Sequence, residues 1–214
     1  MGNNSAEERR YQMLYAQLCP GNKIPFAGTL LRRAACYWPE KIALVCGTTS
    51  LTYQELYARS LQVTAVLNSY VQARDRVIIF YENSIDFYIA YYGAWQCGVV
   101  VVPLNIFLNP HELEHIIQDS QPSVILVSEK LKEKISPEYA HRIVDIDNAL
   151  SNSPESQADQ ARPIEILGLE DDEMAALLYT SGTTGLPKGV MLSSRNIIVN
   201  CIQGVALFQV KDND

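Results

Sequence analysis

Apolar residues along the chain fall into short unbroken runs, separated by longer stretches in which they return every third or fourth position. Val77 to Phe80, Val99 to Val102 and Val124 to Val127 are β-branched runs without polar alternation, the pattern of strands covered on both faces. The longer stretches predict helices. Thr29 to Trp38 places Leu30, Leu31, Ala34, Ala35 and Trp38 inward and is stopped by Pro39. Glu55 to Val71 repeats Leu56, Val63, Leu67 and Tyr70 at amphipathic spacing, and Ile85 to Cys97 is so aromatic that it must be packed. Pro110 opens a helix to about Asp119 with Leu113, Ile116 and Ile117 inward. Ile42 to Cys46 and Leu51 to Tyr53 flank Gly47-Thr48-Thr49-Ser50, the composition of a hairpin turn. Strands alternating with helices predict an α/β fold, mainly parallel sheets flanked by helices.

Four segments follow: a polar lead-in over 1–24 with a short helix, a doubly wound α/β subdomain over 25–150, a loop or connection over 151–168, and the start of the next subdomain over 169–214. Ser151 to Arg162 is polar and lacks apolar periodicity, as a surface loop does. Met174 to Tyr179 predicts a strand that ends in a glycine-rich loop, and Gly189 to Leu192 a second strand. Ser193 or Ser194 then caps a helix from Arg195 to about Phe208. Phe87 to Leu104 has no charge, but Gln96, Gly98 and Pro103 interrupt it, so a helix followed by a buried strand is expected rather than a membrane span.

Composition narrows the function. A formal charge of −7 with no basic stretch repels a nucleic-acid backbone, so nucleic acid is not an expected partner. Cys19, Cys36, Cys46, Cys97 and Cys201 are odd in number and widely spaced, which reads as buried thiols in a reducing cytoplasm. Glu7, Glu8, Arg9 and Arg10 are unlike a secretory leader, and Ala6 stands where a myristoylation signal needs Ser or Thr.

The chemistry concentrates in Tyr179-Thr180-Ser181-Gly182-Thr183-Thr184-Gly185-Leu186-Pro187-Lys188-Gly189. Glycines let backbone N–H groups approach an anion, hydroxyls add adaptable donors, and a lysine offsets phosphate charge. Pro187 and Gly189 exclude the G-x-x-x-x-G-K-[ST] arrangement. Because the loop joins two strands, it must hold phosphate with its own amides, hydroxyls and Lys188 rather than with a helix N-terminus.

This segment resembles the signature YTSGTTGxPKG of the adenylate-forming superfamily, which includes acyl-CoA synthetases, luciferases and peptide-synthetase adenylation domains. Leu51-Thr52-Tyr53-Gln54-Glu55-Leu56 is similar to that superfamily's early LTYxEL element. Gly93-Ala94-Trp95-Gln96-Cys97-Gly98 leading to Val102-Pro103-Leu104-Asn105 is similar to its GAxxAGxxxVPLN element. The resemblance implies the N-terminal part of the adenylate-forming fold. It also implies a two-step reaction: a carboxylate, most like a fatty acid, attacks the α-phosphorus of Mg²⁺-bound ATP, and the thiol of coenzyme A then displaces AMP. The implied ATP phosphate-binding residues are Thr180, Ser181, Gly182, Thr183, Thr184, Gly185, Leu186, Pro187 and Lys188, with the hydroxyls as donors and Lys188 as charge partner of pyrophosphate. Ser194 departs from the histidine that members often carry. The superfamily's later elements have no counterpart before Asp214, so the chain alone is expected to be inactive, and a peptide-synthetase-type fragment or a non-catalytic phosphate-binding fragment are the alternatives.

Three other features have competing readings. His111-Glu112-Leu113-Glu114-His115 fits H-E-x-x-H, a zinc pattern when helical, but lies in the first turns of a helix that reads as merely amphipathic, and no metal is expected. The aromatic side chains of Phe87 to Trp95 read as core rather than a ligand box, and Glu170 to Glu173 as a solvated acidic cluster.

Overall fold

A computed structural model describes Arg9, Gln12, Cys19 and the residues 24–146, 168–180 and 185–207. The lead-in helix and the connection over 151–162 expected from sequence lie outside the described residues. Helix α1 (Leu30–Tyr37) follows a 3₁₀ turn at Ala27–Thr29 and leads into the hairpin of β1 (Ile42–Cys46) and β2 (Thr49–Thr52). Helix α2 (Tyr53–Leu67) precedes β3 (Arg76–Phe80), α3 (Ile85–Gln96) and β4 (Val100–Pro103). Helix α4 (Pro110–Ser120), β5 (Val124–Val127), β6 (Met174–Thr180), β7 (Lys188–Ser193) and α5 (Ser194–Leu207) complete the order.

Strands β3 to β7 form one sheet in the order β5-β3-β4-β6-β7. The first four are parallel and β7 runs antiparallel to β6 at the edge. Side chains on a strand alternate between faces, and both faces are apolar here. Val77, Ile79, Val101 and Leu126 enter the core shared with Leu56, Val63, Ile89 and Trp95 of α2 and α3. Ile78, Phe80, Val102 and Ile125 enter the opposite core, against Leu113, Ile116 and Ile117 of α4. The expected α/β class with a mainly parallel, doubly covered sheet is the architecture observed.

Local signals place the helices. Thr52 and Glu55 form a reciprocal capping box at the start of α2, and Asn109 and Glu112 another at α4, where Pro110 occupies the first turn. Helices α2 and α3 meet across a polar seam: Thr64 Oγ1 donates to the Gly93 carbonyl at 3.0 Å, and Gln96 Nε2 to Ser60 Oγ at 2.6 Å. Burial in this seam pushes the Cys97 thiol up to about 12.

Several expectations need correction. Trp38 is 43% and Tyr70 59% exposed, because α1 and α2 end at Tyr37 and Leu67, before either residue can turn inward. Cys19 and Cys97 are buried, but Cys36, Cys46 and Cys201 are exposed. The helix followed by a buried strand expected over 87–104 needs no such change: α3 ends at Gln96, the valines beyond it form β4, and no described helix is long and apolar enough to cross a membrane.

The acidic cluster is not simply solvated. Glu173 pairs with Arg74, and Asp171 and Asp172 both pair with Arg195. These pairs tie the entry to β6 to the turn before β3 and to the first residues of α5. Arg74 makes its contact from a left-handed backbone, at φ 73.

Two outcomes follow from this packing. A Cβ on Gly93 would lie 2.6 Å from the Val63 Cβ and 2.8 Å from the Ser60 carbonyl oxygen. Alanine's helix preference of about 1 kcal/mol cannot offset an overlap with backbone, so Gly93→Ala should destabilise by about 1–3 kcal/mol. The measurement is the urea midpoint at unchanged slope, and an unaltered midpoint contradicts it. The second outcome concerns pH. The bond from Arg74 holds the Glu173 carboxyl below its ordinary 4.5, so its stabilisation is complete above that value and is lost as pH falls through the lowered folded value. Arg74→Gln should therefore flatten the acid-side fall in unfolding midpoint relative to the parent chain, and parallel curves contradict the pairing.

Candidate functional site

The β6–β7 hairpin projects from the carboxyl end of β6, which is parallel to β4 and so shares an edge with the carboxyl ends of β3, β4 and β5. In open parallel sheets this edge is where ligands bind. Thr180 faces Lys188 in the register and Tyr179 faces Gly189, so the connection is 181–187 and joins two strands, as expected. Ser181, Gly182, Thr183 and Thr184 lie outside the described residues. Thr180, Gly185, Leu186 and Lys188 are exposed, and Pro187 is buried. Gly185 has φ 124, a conformation that an L side chain rarely adopts.

Three contacts fix the hairpin, one from α3 and two from α4 on the opposite face of the sheet. The register between β6 and β7 slips at Ala175, and the Trp95 Nε1–H of α3 donates to that residue's carbonyl at 2.7 Å. The aromatic side chain thus satisfies a polar group that lies at the bulge. The Tyr179 hydroxyl donates to Asp119 on α4, and burial followed by that bond raises the Tyr179 pKa, keeping the phenol protonated. The His115 Nε2 lies 3.0 Å from the Pro187 carbonyl oxygen, which can only accept, so the ring nitrogen donates.

Gly189 has a role that composition alone misassigns. A Cβ there would approach Leu177 Cδ1 at 3.0 Å and the Tyr179 ring at 3.3 Å. Its small size therefore admits the side chains of the partner strand, beyond any approach to an anion. Ser194 is likewise structural: it is buried and its Oγ accepts the Ala27 N–H at 3.0 Å, holding the start of α5 to the turn before α1. Ser193 caps the same helix through Asn196, whose N–H donates to the Ser193 Oγ at 3.2 Å.

The H-E-x-x-H residues are engaged elsewhere. The Glu112 carboxylate accepts the Asn109 N–H at 3.0 Å in the capping box, and His115 holds Pro187. Among the described residues no group of three His, Cys, Asp or Glu side chains is placed to share a metal ion. The aromatic run packs as expected except at one position: Tyr91 and Trp95 meet edge to face at 4.6 Å and Trp95 is buried, but Tyr88 is exposed.

Comparison with known proteins agrees with this geometry. Residues 31–214 match the family described as AMP-binding enzyme. A Mycobacterium leprae protein named as a fatty-acid–CoA ligase is 32% identical over 163 residues, covering 73% of this chain and 28% of that protein. A linear gramicidin synthase protein of Brevibacillus parabrevis is 31% identical over 174 residues, covering 80% of this chain and 2% of that protein. The chain thus spans well under a third of the length of these curated relatives. Among solved structures, Bacillus subtilis o-succinylbenzoate CoA synthetase with its acyl-adenylate intermediate superposes with TM-score 0.71 at 26% identity, covering 86% of this chain and 47% of that one. VinN in complex with 3-methylaspartate gives TM-score 0.75 at 25% identity, covering 87% of this chain and 52% of that one. With a family match over most of its length and a shared fold, the chain belongs to the AMP-binding enzyme family.

Proposed function

We propose that this chain carries the phosphate-orienting part of an acid–thiol ligase that activates a fatty acid with ATP and transfers it to coenzyme A. The observation that carries this reading is the hydroxyl- and glycine-rich connection between Thr180 and Lys188, presented at the carboxyl edge of a parallel sheet. A carboxylate oxygen attacks the α-phosphorus, the bond to the departing pyrophosphate breaks, and the acyl-adenylate forms. The thiol of coenzyme A then attacks the acyl carbon and releases AMP. Such a transfer is accelerated by positioning and by offsetting charge on the leaving group. The exposed Lys188 ammonium supplies that charge to pyrophosphate, while Thr180, Ser181, Thr183 and Thr184 donate from their hydroxyls and Gly182, Gly185, Leu186 and Pro187 shape the backbone around them. Magnesium enters with the triphosphate and screens its oxygens. The five unpaired cysteines fit a reducing cytoplasm.

A second reading, activation of an amino acid, is supported by the 31% identity to a gramicidin synthase, which rivals that to the named fatty-acid ligase. The shared loop chemistry cannot select the carboxylate, because it contacts only phosphate.

Isotope exchange between pyrophosphate and ATP, run on the protein that contains these residues with fatty acids and amino acids in parallel, separates the readings. Fatty-acid-dependent exchange is expected, and exchange with amino acids alone replaces the first reading by the second. Lys188→Ala should lower kcat/KM by about 10²–10³ while leaving the fold intact, since its side chain is exposed. Undiminished exchange in that variant removes the phosphate assignment. The 214-residue chain by itself should bind Mg-ATP weakly, because the loop offers a few charge-assisted bonds of roughly 1.5–3 kcal/mol each less the ordering cost. Micromolar affinity in a calorimetric titration contradicts that.

A further inference from the structure

We propose that His115 and Asp119 of α4 are positioning residues for the hairpin, a two-point brace that sets where Thr180 and Lys188 stand. The inference rests on the phosphate-binding reading for its functional consequence, and on geometry for the brace itself.

Residues four apart on a helix lie one above the other on one face, so His115 and Asp119 present a single polar edge to whatever lies alongside α4. That neighbour is the hairpin mouth, and the two contacts fall on β6 and on the last residue of the connection before β7. Asp119 accepts from Tyr179, the residue directly before Thr180. His115 donates to the carbonyl of Pro187, the residue directly before Lys188. The Pro187 carbonyl and the Lys188 N–H belong to one planar peptide unit, so fixing the oxygen also fixes the plane from which Lys188 departs. Each grip therefore acts one residue upstream of an exposed polar side chain, leaving that side chain itself available.

The helix is rigid enough to serve. Its N-terminus is locked by the Asn109–Glu112 capping box, and Leu113, Ile116 and Ile117 are buried against the sheet. At its last residue the Ser120 Oγ donates to the Ile116 carbonyl at 2.6 Å. A glycine-rich connection loses binding energy to its own ordering, and bracing both ends before a ligand arrives reduces that loss. The same edge accounts for the H-E-x-x-H pattern: the second histidine belongs to the brace and the glutamate to the helix cap.

The test compares His115→Ala, His115→Gln, Tyr179→Phe and Asp119→Asn. Gln keeps an N–H that can reach a carbonyl and Asn keeps an acceptor for the Tyr179 hydroxyl, whereas Ala and Phe remove the contact. Amide hydrogen exchange on the 214-residue chain should show whichever of the successive Gly189 and Val190 amides donates to β6 exchanging about three- to tenfold faster in His115→Ala, the equivalent of one lost hydrogen bond. Amides of β3 and β5 should be unchanged, and His115→Gln should restore protection. In pyrophosphate exchange by the protein containing these residues, His115→Ala and Tyr179→Phe should lower kcat severalfold without changing the KM for the carboxylate, and Gln and Asn should recover most of it. Unchanged exchange of that β7 amide in His115→Ala overturns the brace, as does a loss of protection spread through every strand that Gln fails to rescue. Faster exchange at the hairpin together with full activity in Lys188→Ala upholds the brace and removes the phosphate reading instead.

Discussion

Covering a parallel sheet on both faces is the constraint from which the rest of this structure follows. A parallel strand cannot return by a tight turn, so each crossover brings a helix, and the helices must bury their apolar stripes where the strands present theirs. The alternation along β3 to β5 distributes this demand evenly. Odd and even positions of Val77 to Phe80 enter different cores, one closed by α2 and α3 and the other by α4. Because all four parallel strands point the same way, their carboxyl ends share one edge, and the glycine-rich connection emerges there without any special device.

The edge strand changes the mechanical problem. β7 runs antiparallel and is largely exposed, so the hairpin lacks the two-sided burial that stabilises β3 and β4. Polar contacts replace packing at this margin. Trp95 secures the bulge at Ala175, Tyr179 reaches Asp119, and His115 holds Pro187. Ion pairs at Glu173 and Arg195 then fix the segments that enter and leave the hairpin. Their contribution is geometric more than energetic, since exposed ion pairs add little stability and chiefly restrict orientation.

This division places polar anchors at both ends of the connection, at Tyr179 and at Pro187. The connection needs glycine where backbone must approach a ligand or adopt φ 124, and glycine raises the entropy cost of order. Elements that cannot move surround it: a capped helix on one side and a buried aromatic helix on the other. Gly189 shows the two demands meeting in one residue, because its missing side chain also gives room to Leu177 and Tyr179.

The strands and helices were legible in the residues because each carries a local cause: unbroken β-branched runs, apolar repeats, Pro110 at a helix start and Ser193 at a cap. The phosphate role proposed for the loop rests on the same kind of local signal, since hydroxyls, glycines and a lysine gather in one short segment. Exposure at helix ends was not legible, as Trp38 and Tyr70 show, because periodicity continues past the residue at which the chain turns. Nor were the partners of the acidic cluster, of His115 or of Ser194, which lie as far as 99 residues away in Arg74, 72 in Pro187 and 167 in Ala27. Sequence by itself determined which segments bury and which loop gathers the hydroxyls, glycines and lysine proposed to meet phosphate, because hydrophobic pattern and side-chain chemistry are properties of neighbouring residues. Tertiary structure alone decided what holds that loop in place, because a hydrogen bond depends on distances that only the completed sheet sets.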